Sequence, residues 1–286
     1  MHHDEYACIP EEKNRTGGGA LSTAAPVEKN VRDLYAADTR TGELVSIDAF
    51  LLHWEEEPRW VDIRDRSTKV MEKVPVLNCL VCDEHGPVRV DMWRDHVDSF
   101  LKQVSVNPPD GDNFPRLRLT HMKVGADQEP CYPATPKLST HERTTIRLLL
   151  GSDVGRVPAV GLVCEIASEL YTRDFNFLSR PQPFRVNLAG FVSDVEGECE
   201  SSNETPMQTF TLQDAQGRFV KCVAFGRHAG NPLLQKKNEI ICFFMKAREG
   251  LRNNPGQLWL FQDTHVVLLR SNCLFAPRTT QMELRL

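Results

Sequence analysis

Nine residues, Val88-Arg89-Val90-Asp91-Met92-Trp93-Arg94-Asp95-His96, lie over Val220-Lys221-Cys222-Val223-Ala224-Phe225-Gly226-Arg227-His228 without a gap. This internal repeat constrains the fold more than any other feature, because a repeated segment means a repeated structural unit. Both copies alternate. Val88, Val90 and Met92 fall on one face of an extended strand, matched by Val220, Cys222 and Ala224. The opposite face carries a basic residue and, four positions on, an aromatic: Arg89 with Trp93, and Lys221 with Phe225. A second echo sets Thr144-Thr145-Ile146-Arg147-Leu148-Leu149 over Thr264-His265-Val266-Val267-Leu268-Leu269 and closes the first unit near residue 150. A length of 286 residues leaves room for two such units.

Short apolar or alternating runs surround each copy. In the first unit they are 44–54, 74–82, 88–93 and 117–124; in the second, 184–192, 207–212, 219–225, 239–246 and 258–269. His85-Gly86 and Gln216-Gly217 each punctuate two strands as a hairpin turn does. Each unit also has one helical candidate after its third strand. In the first it is 96–104, with Val97, Phe100, Leu101 and Val104 at helical spacing; in the second it is the shorter stretch 231–237. Three strands, a helix and two strands is the order of the OB-fold. The sequence therefore predicts a mainly β chain of two tandem OB-fold five-stranded barrels, each with a short helix between strands three and four. The expected organisation is a disordered segment over 1–30, with Gly17-Gly18-Gly19 and no hydrophobic period, and a first barrel over 31–150. A linker over 151–180 follows, with a helical candidate at 166–170. Pro181-Gln182-Pro183 opens the second barrel, 181–272, and 273–286 is a tail.

With 41% hydrophobic and 26% charged residues the chain can bury two cores. No apolar run approaches the ~20 residues that span a bilayer, and Met1-His2-His3-Asp4-Glu5 lacks the pattern of a secretory signal. Nine cysteines scattered through core-like strands, such as Cys222 and Cys242, suit a reducing compartment. A soluble intracellular protein with no membrane partner is expected. Cys79-x-x-Cys82-x-x-His85 offers fewer than the four ligands zinc needs, and strand alternation turns the two thiols to opposite faces, so core cysteines are expected. No phosphate-binding Gly-rich loop, nucleophile elbow or HExxH is present, and Asp62 and Asp65 beside Arg64 read as a solvated loop. No enzyme, metal or cofactor is expected.

The net charge is −5, yet residues 215–252 hold eight basic residues (Arg218, Lys221, Arg227, Lys236, Lys237, Lys246, Arg248 and Arg252) against Glu239 and Glu249. A basic run is often only a solvated face, and a strand-end aromatic often caps a core. Here the two coincide on one alternating face. Opposing them, 193–206 carries five acids (Asp194, Glu196, Glu198, Glu200 and Glu204) in the connection between strands one and two, and Glu55-Glu56-Glu57 is a similar run in the first unit.

The second unit, 184–269, resembles the DNA-binding OB domains of the large subunit of replication protein A. The residues that carry the likeness are Phe210-Thr211-Leu212-Gln213-Asp214-Ala215-Gln216-Gly217, then 220–228, then 257–269. In that family one aromatic at the end of the third strand stacks on a base, and another sits beside the loop between strands four and five. The resemblance gives these roles to Phe225 and Trp259. Trp93 is the counterpart of Phe225, while Ser139 stands where the second unit has Trp259; Trp54 and Trp60 are candidates for the missing partner. The implied function is binding of single-stranded nucleic acid, DNA in the first place. Trp93, Phe225 and Trp259 would stack, and Arg89, Lys221, Arg227, Lys246, Arg248 and Arg252 would hold phosphates. Stacking and charge alone do not separate DNA from RNA. A nuclear role in replication, repair or telomere maintenance, beside other subunits of such a complex, is implied by the resemblance only. The alternative is a protein-interaction scaffold, a role the near-balanced first barrel fits better than the second.

Overall fold

A computed structural model describes residues 25–35, 39–64, 70–83, 85–106, 114–126, 129–132, 135–149, 183–201, 203–213, 217–248 and 256–268. The expected linker, its helical candidate and the tail lie outside these residues. The first barrel contains β1 (Val27–Glu28), α1 (Val31–Leu34), β2 (Leu44–Trp54), β3 (Arg59–Arg64), β4 (Met71–Asp83) and β5 (Gly86–Trp93). It continues through α2 (Asp95–Val106), β6 (Arg116–Gly125), β7 (Cys131–Tyr132), β8 (Lys137–Ser139) and β9 (Thr145–Leu149). The second contains β10 (Arg185–Val195), β11 (Cys199–Glu200), β12 (Pro206–Gln213), β13 (Phe219–Phe225), β14 (Glu239–Arg248), β15 (Gln257–Leu260) and β16 (His265–Leu268).

Each sheet closes on itself. The first ring runs β2–β4–β5–β8–β6 and back to β2; the second runs β10–β12–β13–β15–β14 and back to β10. In both, the fifth barrel strand lies parallel to the third, and every other pair in the ring is antiparallel. Closure in the order one, two, three, five, four is the OB-fold, found twice.

The repeat extends to backbone detail. β5 sets Asp91 opposite Ser139 of β8, and β13 sets Val223 opposite Trp259 of β15, so the two aligned sequences share one register. The fourth barrel strand of each copy bulges at a positive-φ residue, His121 in one and Phe244 in the other, where pairing to the first strand slips. The chain leaves the third strand through another left-handed residue, Arg94 in the first barrel and Gly226 in the second. The short helix expected over 231–237 is a 3₁₀ turn, Pro232–Leu234, kept short by Gly226, Gly230 and Pro232. The first barrel also begins inside the segment expected to be disordered: β1 pairs in parallel with β2, and Asn30 and Asp33 form a capping box on α1.

The apolar core divides in two, and the division does not follow the barrels strictly. Leu52, Leu80 and Cys82 of the first barrel join the cluster built on Phe184, Leu188, Phe210 and Leu258 of the second. Cys79 stays in the first barrel's own core, so Cys79 and Cys82 do face opposite ways, each as a buried free thiol.

Polar contacts complete the seam between barrels. β7, from the loop before the first barrel's last ring strand, adds in parallel to β10 of the second. Buried Asn187 donates to Thr135 Oγ1 at 2.9 Å and accepts from the Phe244 amide at 2.8 Å. Asp263 accepts from Arg185 at 2.9 Å and faces Arg89 at 3.4 Å. Burial alone would raise its pKa, yet Arg185 and Arg89 together hold it below the usual range. His53 and His265 meet through their Nδ1 atoms at 2.9 Å, one ring donating and the other accepting.

This seam makes stability depend on pH. Burial first, then the Arg227 charge beside them, lowers His53 and His228 to about 4, and burial holds His265 well below its ordinary value. The unfolded chain takes up protons at His53 and His228 from about pH 6.5, whereas the folded chain does so at these two only near pH 4. The unfolded state therefore binds more protons in that window. Stability is full above about pH 6.5 and falls toward pH 4, by up to about 1.4 kcal/mol per pH unit for each histidine. Urea unfolding at pH 7.5 and pH 5 should show the lower midpoint at pH 5; an unchanged or higher midpoint contradicts this assignment.

Candidate nucleic-acid interface

The outer face of β13 presents Phe219, Lys221, Val223 and Phe225 in alternation, beside Gln213, Thr211, Thr209 and Met207 of β12. On its other flank β15 places Trp259 opposite Val223. Phe225 and Trp259 therefore meet, with ring centroids 5.0 Å apart and planes at 58°. Phe261 adds a third ring, stacked on Phe225 at 5.6 Å and 11°. The sequence reading runs a single strand over 258–269 and assigns Phe261 no role, although its spacing of two from Trp259 gives it the same side. The guanidinium of Arg248 lies over Trp259, 4.8 Å from its centroid. Trp259 Nε1 donates to Gln257 Oε1 at 3.3 Å, which holds the indole in place.

The basic residues separate into two groups. Lys221 and Arg248 stand on this face; Lys221 makes a solvent-accessible ion pair with Glu196 at 3.2 Å. Arg89 and Arg227 instead serve the seam between barrels, and Lys246, opposite Trp259 on the same face, turns its amine to that seam as well. Arg89 is 8% exposed, paired with Asp91 at 3.1 Å and Asp263 at 3.4 Å, with its guanidinium over the Phe244 ring. Arg227 reaches Glu55 at 3.3 Å and the Gln262 carbonyl, and burial lowers its pKa against the pull of Glu55. Lys246 is bound to Glu129 of the first barrel at 2.7 Å. Arg252 lies outside the described residues.

The first barrel's equivalent face is differently made. Asp91 occupies the place of Val223, and burial, which opposes its ionisation, is outweighed by Arg89 and Lys137, leaving it at about 2. A strand face carrying Arg89 beside Asp91 has charges to offer another barrel, and the second barrel covers it. Trp93 is half-buried at its rim, with Nε1 donating to Ser139 Oγ at 3.2 Å and its amide to Thr140 Oγ1 at 2.9 Å. Trp54 packs against the first core, whereas Trp60 points outward and is 65% exposed.

The acidic connection lies close by. β11 pairs with β12 as a small hairpin, and Glu196 turns onto Lys221. Glu198 reaches over to Gly230, whose φ of +72 lies in the left-handed region that favours glycine. Glu55, by contrast, is fully buried. It accepts from the Asn78 amide at 2.9 Å and meets Arg59 and Arg227, so it belongs to the seam.

No family model and no curated protein matches the sequence. Among solved structures, a replication protein A heterotrimer bound to ssDNA aligns over 87% of this chain at 13% identity and a TM-score of 0.46. The chain spans 54% of that protein's length. The Ifi202 HINa domain in complex with dsDNA aligns over 78% of this chain and 95% of its own, at 12% identity and a TM-score of 0.42. The p204 HINb domain aligns over 81% and 100%, at 11% identity and a TM-score of 0.42. At these values the OB-fold assignment rests on strand order and barrel closure.

Proposed function

We propose that the second barrel binds single-stranded nucleic acid, DNA in the first place, on the outer face of β13 and β15. One observation carries the reading: Phe225, Trp259 and Phe261 form a three-ring platform with Arg248 over Trp259 and Lys221 further along the same strand face. Rings offer π-faces to bases of any identity, and the two cations stand where phosphates would pass. Arg89, Arg227 and Lys246 act in this account by fixing the barrels together. A role in a nuclear replication or repair assembly belongs to the same proposal. A second reading, an assembly subunit, is favoured by the first barrel: its corresponding face already holds a protein domain through Arg89, which Asp91 pairs within its own barrel.

Salt separates the two readings. With two to four phosphates neutralised, log K for a single strand should fall against log salt with a slope of about −1.4 to −2.8. A labelled oligonucleotide titrated at several salt concentrations measures this directly; no binding at low salt would leave the assembly reading in front. Removing the competing carboxylate should tighten binding. Glu196→Gln releases Lys221 from an exposed pair worth about 0–1 kcal/mol, so affinity should rise by up to about five-fold at low salt. Weaker binding would remove Lys221 from the phosphate path.

A further inference from the structure

We infer that the single strand continues along β13 beyond the platform to a second stacking step at Phe219, an inference that rests on the function proposed above. Phe219 is 69% exposed, more than any other large hydrophobic side chain among the described residues. One exposed apolar residue is ordinary; its register gives this one meaning. Phe219 lies six residues before Phe225 on the same outward face of a continuous strand, with Lys221 between them. At about 3.3 Å per residue the two rings are about 20 Å apart, the rise of roughly six stacked nucleotides and of fewer when the strand is stretched. That span lies within the 4–16 nucleotides, approximately, that one OB barrel covers.

The far end is also built as a rung. Phe219 is opposite Gln213 on β12, and Gln213 is opposite Phe191 on β10. Cross-strand neighbours stand about 5 Å apart, so an amide lies between two partly exposed rings. The amide can donate to and accept from a base edge while a ring takes the base face. Glu239 is opposite Phe191 on β14, the side away from β13, which directs a polyanion toward Phe219 and Lys221. Lys221 between the two rings of β13 and Arg248 over Trp259 argue for a nucleic acid as occupant rather than an apolar protein surface.

The test is fluorescence anisotropy of a labelled dodecathymidylate with the full chain, as wild type, Phe219→Ala, Phe219→Trp and Phe225→Ala, each checked for folding by circular dichroism. Phe219→Ala should weaken binding roughly 5- to 150-fold, and Phe219→Trp should restore it, since any flat ring serves. Equal affinity of Phe219→Ala and wild type, with Phe225→Ala weakened, overturns the second step and leaves the platform standing. Equal weakening by alanine and tryptophan overturns stacking at this position. Phe219→Ala that abolishes self-association in sedimentation without affecting the oligonucleotide assigns the patch to a second copy of the chain. A folded wild type that binds no oligonucleotide removes the underlying function itself.

Discussion

Replacing Phe225 and Trp259 together with alanine should weaken single-strand binding by about 2–6 kcal/mol, some thirty-fold to more than ten-thousand-fold, because each base–aromatic stack contributes about 1–3 kcal/mol. The two rings touch, so their losses are coupled, and the lower half of that range is expected. Both residues lie on the outer face and neither is in the buried core of the second barrel, so the variant should keep its β-sheet spectrum. Trp93→Ala, the matching change in the first barrel, should alter affinity far less. Trp93 has Ser139 beside it where Phe225 has Trp259, and the neighbouring rungs of β5 are already occupied by the seam. Anisotropy at one low salt concentration compares all three proteins. Equal losses from the two barrels would contradict the assignment of the site to the second.

Asp263→Ala should destabilise the chain by about 3 kcal/mol or more, because removing one partner from a buried ion network leaves the others uncompensated. Asp263 is 8% exposed and serves two guanidiniums from different barrels, Arg89 and Arg185. Each arginine retains another carboxylate, Asp91 and Glu129 respectively, which places the effect at the low end of what buried pairs show. Asp263→Asn keeps hydrogen-bond acceptors at the site and should cost less. Urea denaturation measures both, and a loss below about 1 kcal/mol for the alanine variant would mean that the apolar seam alone joins the barrels.

The barrels were legible because the features that define them are local. Alternation sorts Val88, Val90 and Met92 from Arg89 and Trp93, and the two echoes together set Ser139 in the place of Trp259, as the strand pairings do. What covers a strand face is a different question, decided by residues far away in sequence. Arg89 and Lys221 occupy the same position of the repeat, yet one is buried against Asp263 and the other is open to solvent. Nothing in the nine repeated residues distinguishes these fates except Asp91 in place of Val223. Glu55 misled in the same manner: it counted as part of an acidic run opposing a ligand, whereas its carboxylate holds Arg59 and Arg227 in the seam. The helical candidate at 231–237 is a 3₁₀ turn for a local reason, since Asn231 caps it and Pro232 opens it.

Photocrosslinking locates the bound strand on the protein. A thymidylate oligonucleotide carrying 4-thiothymidine, bound to the full chain and irradiated, marks the peptides that touch bases. The account predicts adducts on β13 and β15 around Phe225 and Trp259, lost when unlabelled oligonucleotide competes. Adducts confined to the first barrel, or none from a folded protein at saturating oligonucleotide, would contradict it.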